Sequence, residues 1–393
     1  MYNVLGNTNS LEATVTQQNP QLSVSMPSQG FTLDSIASNL PKTSKGIITS
    51  EQARKIASFI ETQLREGLYK GNTLCSIEQT GLEFPIEYDS QTQCIFIHLG
   101  SRKEAYIGKG KQKTVTQSIL YSPQEPELIA RCEGENVSNN EIIATQLLQG
   151  KEGIFRVYVI TQHRVDETVK TSMFCKLYNM GSLDNCIKKG FVKFLTQQEK
   201  MEAALNLLKG LANIHAAGCV HRDLGARNHL VHIVNNPTMN SRKIEVAIAD
   251  LGRTLPADQA SGTAVQGNSK YTAPEGIERK TLLGNAYFLT DVYALGCVLY
   301  RLQYNGEKSP FIKKMKKLAL TEMDPQVLKK QLSEKLEKVL EEKHMRIQKD
   351  SMSEQQAHFE KMILQMIHPN PQHRGTVQEL VATLTSIMSK QRG

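Results

Sequence analysis

Apolar and polar positions change their spacing twice along the chain. Residues 1–45 show no sustained period and are dominated by Ser, Thr, Gln and Asn. Such a segment cannot bury enough apolar area to offset its ordering entropy, so the sequence predicts a disordered polar tail there. From position 50 to about 68, Ala53, Ile56, Ile60 and Leu64 recur at helical spacing with Ser50 placed as a cap, which predicts one amphipathic helix. Strand-like runs follow at 84–88, 94–99, 105–107, 114–121 and 127–132, separated by polar or turn-forming residues, and these predict a small antiparallel sheet. Beyond Gly181 the texture becomes helical, with a long periodic stretch at 200–216, short strands near 229–233 and 246–248, and mostly helices thereafter. The expectation is an α+β chain in which a sheet-rich part precedes a helix-rich part, without internal repeats.

Composition narrows the class. In 393 residues, Lys plus Arg exceed Asp plus Glu by 47 − 39 = 8. Much of that excess lies at 313–317 and 329–349, and in the second stretch it is interleaved with glutamate as on a solvated helical face. Nucleic-acid or membrane-surface binding is therefore not the favoured reading. The seven cysteines are scattered, odd in number and contain no CxxC pair, which suits a reducing compartment. No basic segment leads into an apolar run at the N-terminus, and nothing approaches the roughly 18 apolar residues of a spanning helix. A soluble, cytoplasmic protein is expected, and secretion without a cleaved signal peptide stays open.

The chemistry concentrates in one ordered set of motifs. His221-Arg222-Asp223-Leu224-Gly225-Ala226-Arg227-Asn228 is followed 22 residues after Asn228 by Asp250-Leu251-Gly252, and 25 after Asp250 by the end of Ala273-Pro274-Glu275. Here the sequence resembles the eukaryotic-type protein-kinase family, whose catalytic loop, metal-binding triplet and activation-segment anchor come in this order. Phosphoryl transfer demands positioning and charge neutralisation more than covalent help. The resemblance accordingly implies a two-lobed protein-kinase-like fold, with a small β-rich N-lobe at 101–180 and a larger helical C-lobe at 181–390, preceded by a helix and strands at 46–100. It implies ATP and Mg²⁺ as cofactors and a protein substrate. Asp223 would orient the attacking hydroxyl and accept its proton, and Asn228 and Asp250, both hard oxygen donors, would hold Mg²⁺. The run Thr290–Gly296 looks like the buried helix after the activation segment, and Arg374 resembles the late arginine that pairs with Glu275.

In the small lobe the sequence departs from the family. The glycine-rich loop reads Gly108-Lys109-Gly110-Lys111-Gln112-Lys113-Thr114-Val115, so a lysine replaces its third glycine. On the next strand, Ile129-Ala130-Arg131-Cys132 puts a cysteine where the family has its phosphate-holding lysine. Alternation along a strand sets Arg131 on the face opposite Ala130 and Cys132, so Arg131 is a poor substitute. The Lys113 and Cys132 pairing resembles the with-no-lysine kinases, and by that likeness Lys113 takes the role with Glu141 as its helix partner. A second reading stays open, in which the lysines form a basic solvent-facing loop on a pseudokinase that binds nucleotide or partners without catalysis. Retention of Asp223, Asn228 and Asp250 speaks for the first.

By the same resemblance, Cys175 stands at the gatekeeper and the backbones of Lys176 and Tyr178 at the hinge that hydrogen-bonds adenine, with Gly108, Gly110, Val115 and Ala130 lining the nucleotide site. Serine/threonine kinases usually carry a lysine two residues after the catalytic aspartate and a partner threonine; here those places hold Gly225 and Asn268. The Gly225–Asn228 ending resembles tyrosine kinases instead, which leaves Ser/Thr against Tyr specificity open. Arg222 suggests a switch in which a phosphate on Ser261, Thr263 or Ser269 pairs with its guanidinium. A small-molecule kinase of related fold is a third reading, against which Ala273-Pro274-Glu275 and the long segment before it argue.

Overall fold

The computed structural model describes residues 86–89, 94–99, 105–110, 113–121, 127–165, 167–236, 241–260, 271–277, 286–310 and 353–389, with 73–75 and parts of 51–62 and 324–342. The expected tail at 1–45, the Ser50 cap, Asn268 and the three candidate switch positions lie outside the described residues, as does most of 311–352. The chain divides into two compact units. One holds the residues up to Val137 together with Arg156–Leu177, the other Ser138–Phe155 and the residues from Tyr178 onward.

The first unit is built on an antiparallel sheet of eight strands: β1 (Thr73–Cys75), β2 (Ile86–Asp89), β3 (Cys94–His98), β4 (Tyr106–Lys109), β5 (Lys113–Tyr121), β6 (Glu127–Glu135), β7 (Val157–Val165) and β8 (Thr168–Lys176). Their order is β1-β2-β3-β5-β6-β8-β7, with β4 also pairing β5. Strands β1–β3 continue the sheet formed by the later strands, because β3 pairs residues 118–121 of β5 while β4 pairs residues 114–116. Opposed residues share a face of the sheet. Lys113 and Val115 lie opposite Gly134 and Cys132, and Cys132 and Ala130 lie opposite Met173 and Cys175, so these side chains stand on one face. Thr116, Arg131 and Phe174 are mutually opposed and stand on the other. That second face carries apolar packing, with the Phe96 and Phe174 rings stacked 4.1 Å apart among Cys94, Leu120, Ile129, Tyr158 and Val159. It also buries His98 3.3 Å from Glu87, and burial pushes the His98 imidazole below its usual range.

The second unit contains helices α1 (Asn139–Leu147), α2 (Leu183–Lys188), α3 (Gln197–Ala216), α4 (Ala286–Gln303), α5 (Glu354–Met366) and α6 (Val377–Ser389). Its five short or paired strands are β9 (Gly181–Ser182), β10 (Cys219–Val220), β11 (His229–Asn236), β12 (Ser241–Ile248) and β13 (Leu255–Pro256). The periodic stretch expected at 200–216 starts three residues earlier because Thr196 and Glu199 form a reciprocal capping box that satisfies the first backbone N–H groups. Hairpin β11–β12 is longer than the apolar runs suggested, paired in register from His229 with Ile248 to Asn236 with Ser241. Part of the cause is Asn179, whose amide donates to Ile233 O at 2.8 Å and accepts from Ile233 N at 2.9 Å, imitating a neighbouring strand.

Helix α3 runs so close to the loop after α1 that only glycines fit. A Cβ on Gly210 would stand 2.3 Å from Gly153 O, and Gly153 itself sits at φ +75°. Gly210→Ala therefore forces backbone apart, and overpacking of this kind costs about 1–3 kcal/mol. Thermal unfolding followed by circular dichroism is expected to show a midpoint several degrees lower.

Candidate active site

The helical unit assembles the loop around Asp223 from below. Asp291, buried on α4, accepts from the backbone N–H groups of His221 at 2.7 Å and Arg222 at 2.9 Å, and lies 3.3 Å from His215 Nε2. Two anchored amides fix the chain there, and Arg222 takes φ +67°, a conformation rare outside glycine. His221, fully buried, accepts from Asp223 N at Nδ1 (3.2 Å), and its Nε2 lies 3.3 Å from Ala249 O, a geometry that puts the ring proton on Nε2. The loop is thereby tied to β12's end.

Asp223 is buried, and Arg227 Nη2 donates to both of its oxygens, at 2.7 and 3.0 Å. Arg253 adds a guanidinium at 3.8 Å. Asn228 donates from Nδ2 to Asp223 O at 2.8 Å, which orients its amide. Its carbonyl accepts from Ala249 N at 2.8 Å, so Asn228 and Asp250 sit at the same end of hairpin β11–β12. Asp250 is exposed at φ +60°. A Cβ on Gly252 would lie 3.2 Å from Glu141 Oε2 and 3.5 Å from Asp250 Oδ1, so the buried Glu141 carboxylate of α1 also reaches this turn. The side-chain oxygens of Asn228 and Asp250 are hard donors, with the Glu141 carboxylate beside the same glycine turn, a set of the type that fits a hard cation such as Mg²⁺.

Several contacts were not legible as roles in the sequence. Gly225 was read there as a specificity marker, yet a Cβ at this position would meet the Tyr271 ring at 3.2 Å. The Tyr271 hydroxyl is held by Arg301, which also donates to Asp184 at 2.9 Å, and burial pushes the Tyr271 phenol upward. A side chain at 225 would thus press on the ring of the residue that precedes Thr272-Ala273-Pro274. Arg227 as a clamp on Asp223 was equally unassigned, although its four-residue spacing from Asp223 was visible. Arg374 does meet Glu275, with Nη2 2.8 Å from Oε2, and also donates to His368 O, Leu289 O and Pro369 O. The half-buried Arg222 guanidinium is pushed downward by desolvation.

In the sheet unit, Gly110 N donates to Lys113 O at 2.8 Å, and Lys111 and Gln112 lie outside the described residues. No heavy atom stands within 4 Å of the place a Gly108 Cβ would take among the described residues, leaving room against the backbone. Lys113, Val115, Ala130, Cys132 and Cys175 share one face, as set out above, and Arg131 faces away, paired with Glu133. Lys176 N donates to Arg156 O at 2.9 Å, and Tyr178 O accepts from Gly181 N at 2.9 Å. Among the described residues no cluster of three His, Cys, Asp or Glu side chains forms a metal cage, and no helix is long and apolar enough to cross a membrane.

Comparison with known proteins identifies the family. The family model described as the protein kinase domain matches residues 103–384. A probable serine/threonine-protein kinase of Dictyostelium discoideum is 32% identical over 139 residues, 35% of this chain and 7% of that protein. A serine/threonine-protein kinase H1 homolog of Pinctada fucata is 28% identical over 204 residues, 51% of this chain and 45% of its own length. Mitogen-activated protein kinase kinase kinase 17 of Arabidopsis thaliana is 26% identical over 207 residues, half of each chain. The chain thus spans at most about half the length of these relatives. With a sheet unit, a helical unit and a family match over most of its length, the chain belongs to the protein kinase domain family, with the α+β fold of that family.

Proposed function

We propose that the protein transfers the γ-phosphoryl group of ATP to a hydroxyl of a protein substrate. The observation that carries this reading is the loop fixed by Asp291, which presents Asp223 and Asn228 on the same hairpin end as Asp250. In it Asp223 orients the substrate hydroxyl and takes its proton, while Asn228 and Asp250 offer the oxygen ligands for magnesium. Magnesium held there would neutralise charge growing on the transferring phosphoryl oxygens. Lys113 supplies the ammonium for the α and β phosphates in place of the lysine that Cys132 replaces, with Glu141 as its carboxylate partner. Gly108 and Gly110 offer backbone N–H groups to phosphate, Val115 and Ala130 take the adenine ring, and Lys176 and Tyr178 its edge. Arg222 stands next to Asp223 as the guanidinium that a phosphorylated activation segment would meet.

Purified protein with radiolabelled ATP, magnesium and generic protein substrates tests the reading. Asp223→Asn is expected to lose about 10²–10⁴-fold in rate, the usual worth of a positioned general base. Phosphoamino-acid analysis of the labelled product then fixes the acceptor; similarity to proteins named as serine/threonine kinases favours serine and threonine, and the Gly225–Asn228 ending favours tyrosine. A second reading, a scaffold that binds nucleotide or partners without transfer, is favoured by one observation, the engagement of both Asp223 oxygens by Arg227. Under it the wild type and Asp223→Asn would incorporate label equally, at background.

A further inference from the structure

Two cysteines that play no part in phosphoryl transfer lie side by side on the Lys113 face of the sheet. Cys132 Sγ and Cys175 Sγ are 3.7 Å apart, and both thiols are reduced. The register makes them diagonal neighbours, since Cys132 is opposite Met173 and Ala130 is opposite Cys175. Met173 and Cys175 alternate along β8, so the thioether points to the same face as both thiols. Two thiols in contact and one thioether on the same face of two adjacent strands thus bring three soft sulfur donors to one patch of the sheet, and Lys113 stands on that face on the next strand.

We propose that Cys132 and Cys175, assisted by Met173, form a binding site for a single thiophilic d¹⁰ cation, of the class of Cu(I), Zn²⁺ and Cd²⁺. A metal bound at about 2.3 Å by two thiolates in tetrahedral geometry separates their sulfurs by about 3.8 Å, so the observed pair needs almost no movement. A disulfide would need the sulfurs at about 2.04 Å, and diagonal strand neighbours stand about 7–8 Å apart at Cα, at or beyond the range a disulfide spans. The geometry favours a bridging atom over a direct sulfur bond. Thiolate and thioether donors are the ligand types that select such cations over Mg²⁺.

Binding releases the thiol protons: a divalent ion plus two thiols gives the dithiolate complex and two H⁺. Cys175 is pushed well above the usual thiol range by its hydrogen bond with Cys132 and by burial, with the Lys113 charge opposing. Affinity therefore rises with pH, because the unbound thiols hold protons that the complex does not. Cys132, partly exposed, offers the entry to the buried Cys175.

Cd²⁺ titration of the reduced full chain, without nucleotide, tests the site through the ultraviolet thiolate-to-cadmium absorption and the stoichiometry of bound metal by mass spectrometry. One equivalent is expected in the wild type, with the charge-transfer band lost in both Cys132→Ser and Cys175→Ser and the affinity weakened in Met173→Leu. Retention of one tightly bound cadmium and its full band in either serine variant would overturn the proposal, as would no binding by folded wild-type protein. Where the proposed nucleotide role of Lys113 holds, cadmium and ATP compete. Competition is a separate readout, so failure of the kinase reading and failure of the metal site are distinguishable.

Discussion

Phosphoryl transfer by the Lys113→Met variant is expected to fall about 10²–10³-fold, the loss seen when one preorganised charge on a developing anion is removed. Arg131→Met is expected to retain rate and ATP affinity within about two-fold. The contrast rests on strand register. Lys113 shares its face with Val115, Ala130 and Cys132, whereas Arg131 stands on the reverse side beside Glu133. Both variants keep a long unbranched side chain, so packing changes little and charge is the variable tested. Steady-state kcat/KM for ATP on the two proteins measures it. Equal losses in both would refute relocation of the phosphate-binding cation, while a loss in neither would favour the scaffold reading.

The largest effect on stability is expected from Arg374→Met. The Arg374 side chain is fully buried, and the Glu275 carboxylate that it grips is nine-tenths buried. The guanidinium also satisfies three backbone carbonyls and lies over the Tyr293 ring at 4.8 Å. Removing one partner strands a desolvated carboxylate, which costs about 3–5 kcal/mol, more than the pair itself contributes relative to an apolar replacement. Denaturant unfolding should therefore show a lower midpoint at an unchanged slope. Glu275→Gln combined with Arg374→Met removes the orphaned charge and is expected to recover part of the loss. A double variant no better than Arg374→Met would mean that the backbone contacts, and not the carboxylate, dominate.

Much of this was legible in the residues because chemistry constrained their order. The ordered motifs around Asp223, Asn228, Asp250 and Glu275 marked the family that the comparison shows, and the alternation of Ala130, Arg131 and Cys132 fixed which side chains could face the same way. Periodicity found α3 and the β5 and β6 strands for a similar reason, since burial on one face imposes a repeat on the residues themselves. What escaped were contacts between residues far apart in sequence. Asp291 was seen only as part of a buried helix, and nothing in Thr290–Gly296 announces that its carboxylate ties down His221 and Arg222 some 70 residues earlier. Gly225 stood out only as a mark of substrate preference, and its closeness to the Tyr271 ring, 46 positions later, left no trace in the local sequence. The greater length of β11–β12 was hidden because Asn235, Asn236, Arg242 and Lys243 are polar and carry no apolar period.

The sharing of β5 between β4 and β3 bears on where this fold can be cut. The stretch that resembles other kinases opens at residue 103, but the edge of β5 at 118–121 is occupied by Ile95–His98. A fragment begun at the boundary of family likeness would strip away that neighbour, leaving unpaired amides and carbonyls beside Ile119 and Leu120 and opening the stack of Phe96 on Phe174. Naked strand margins of this kind recruit other chains. A fragment that keeps this sheet whole therefore begins upstream of Thr73, since β1 in turn covers the edge of β2, in sequence that the family match does not reach.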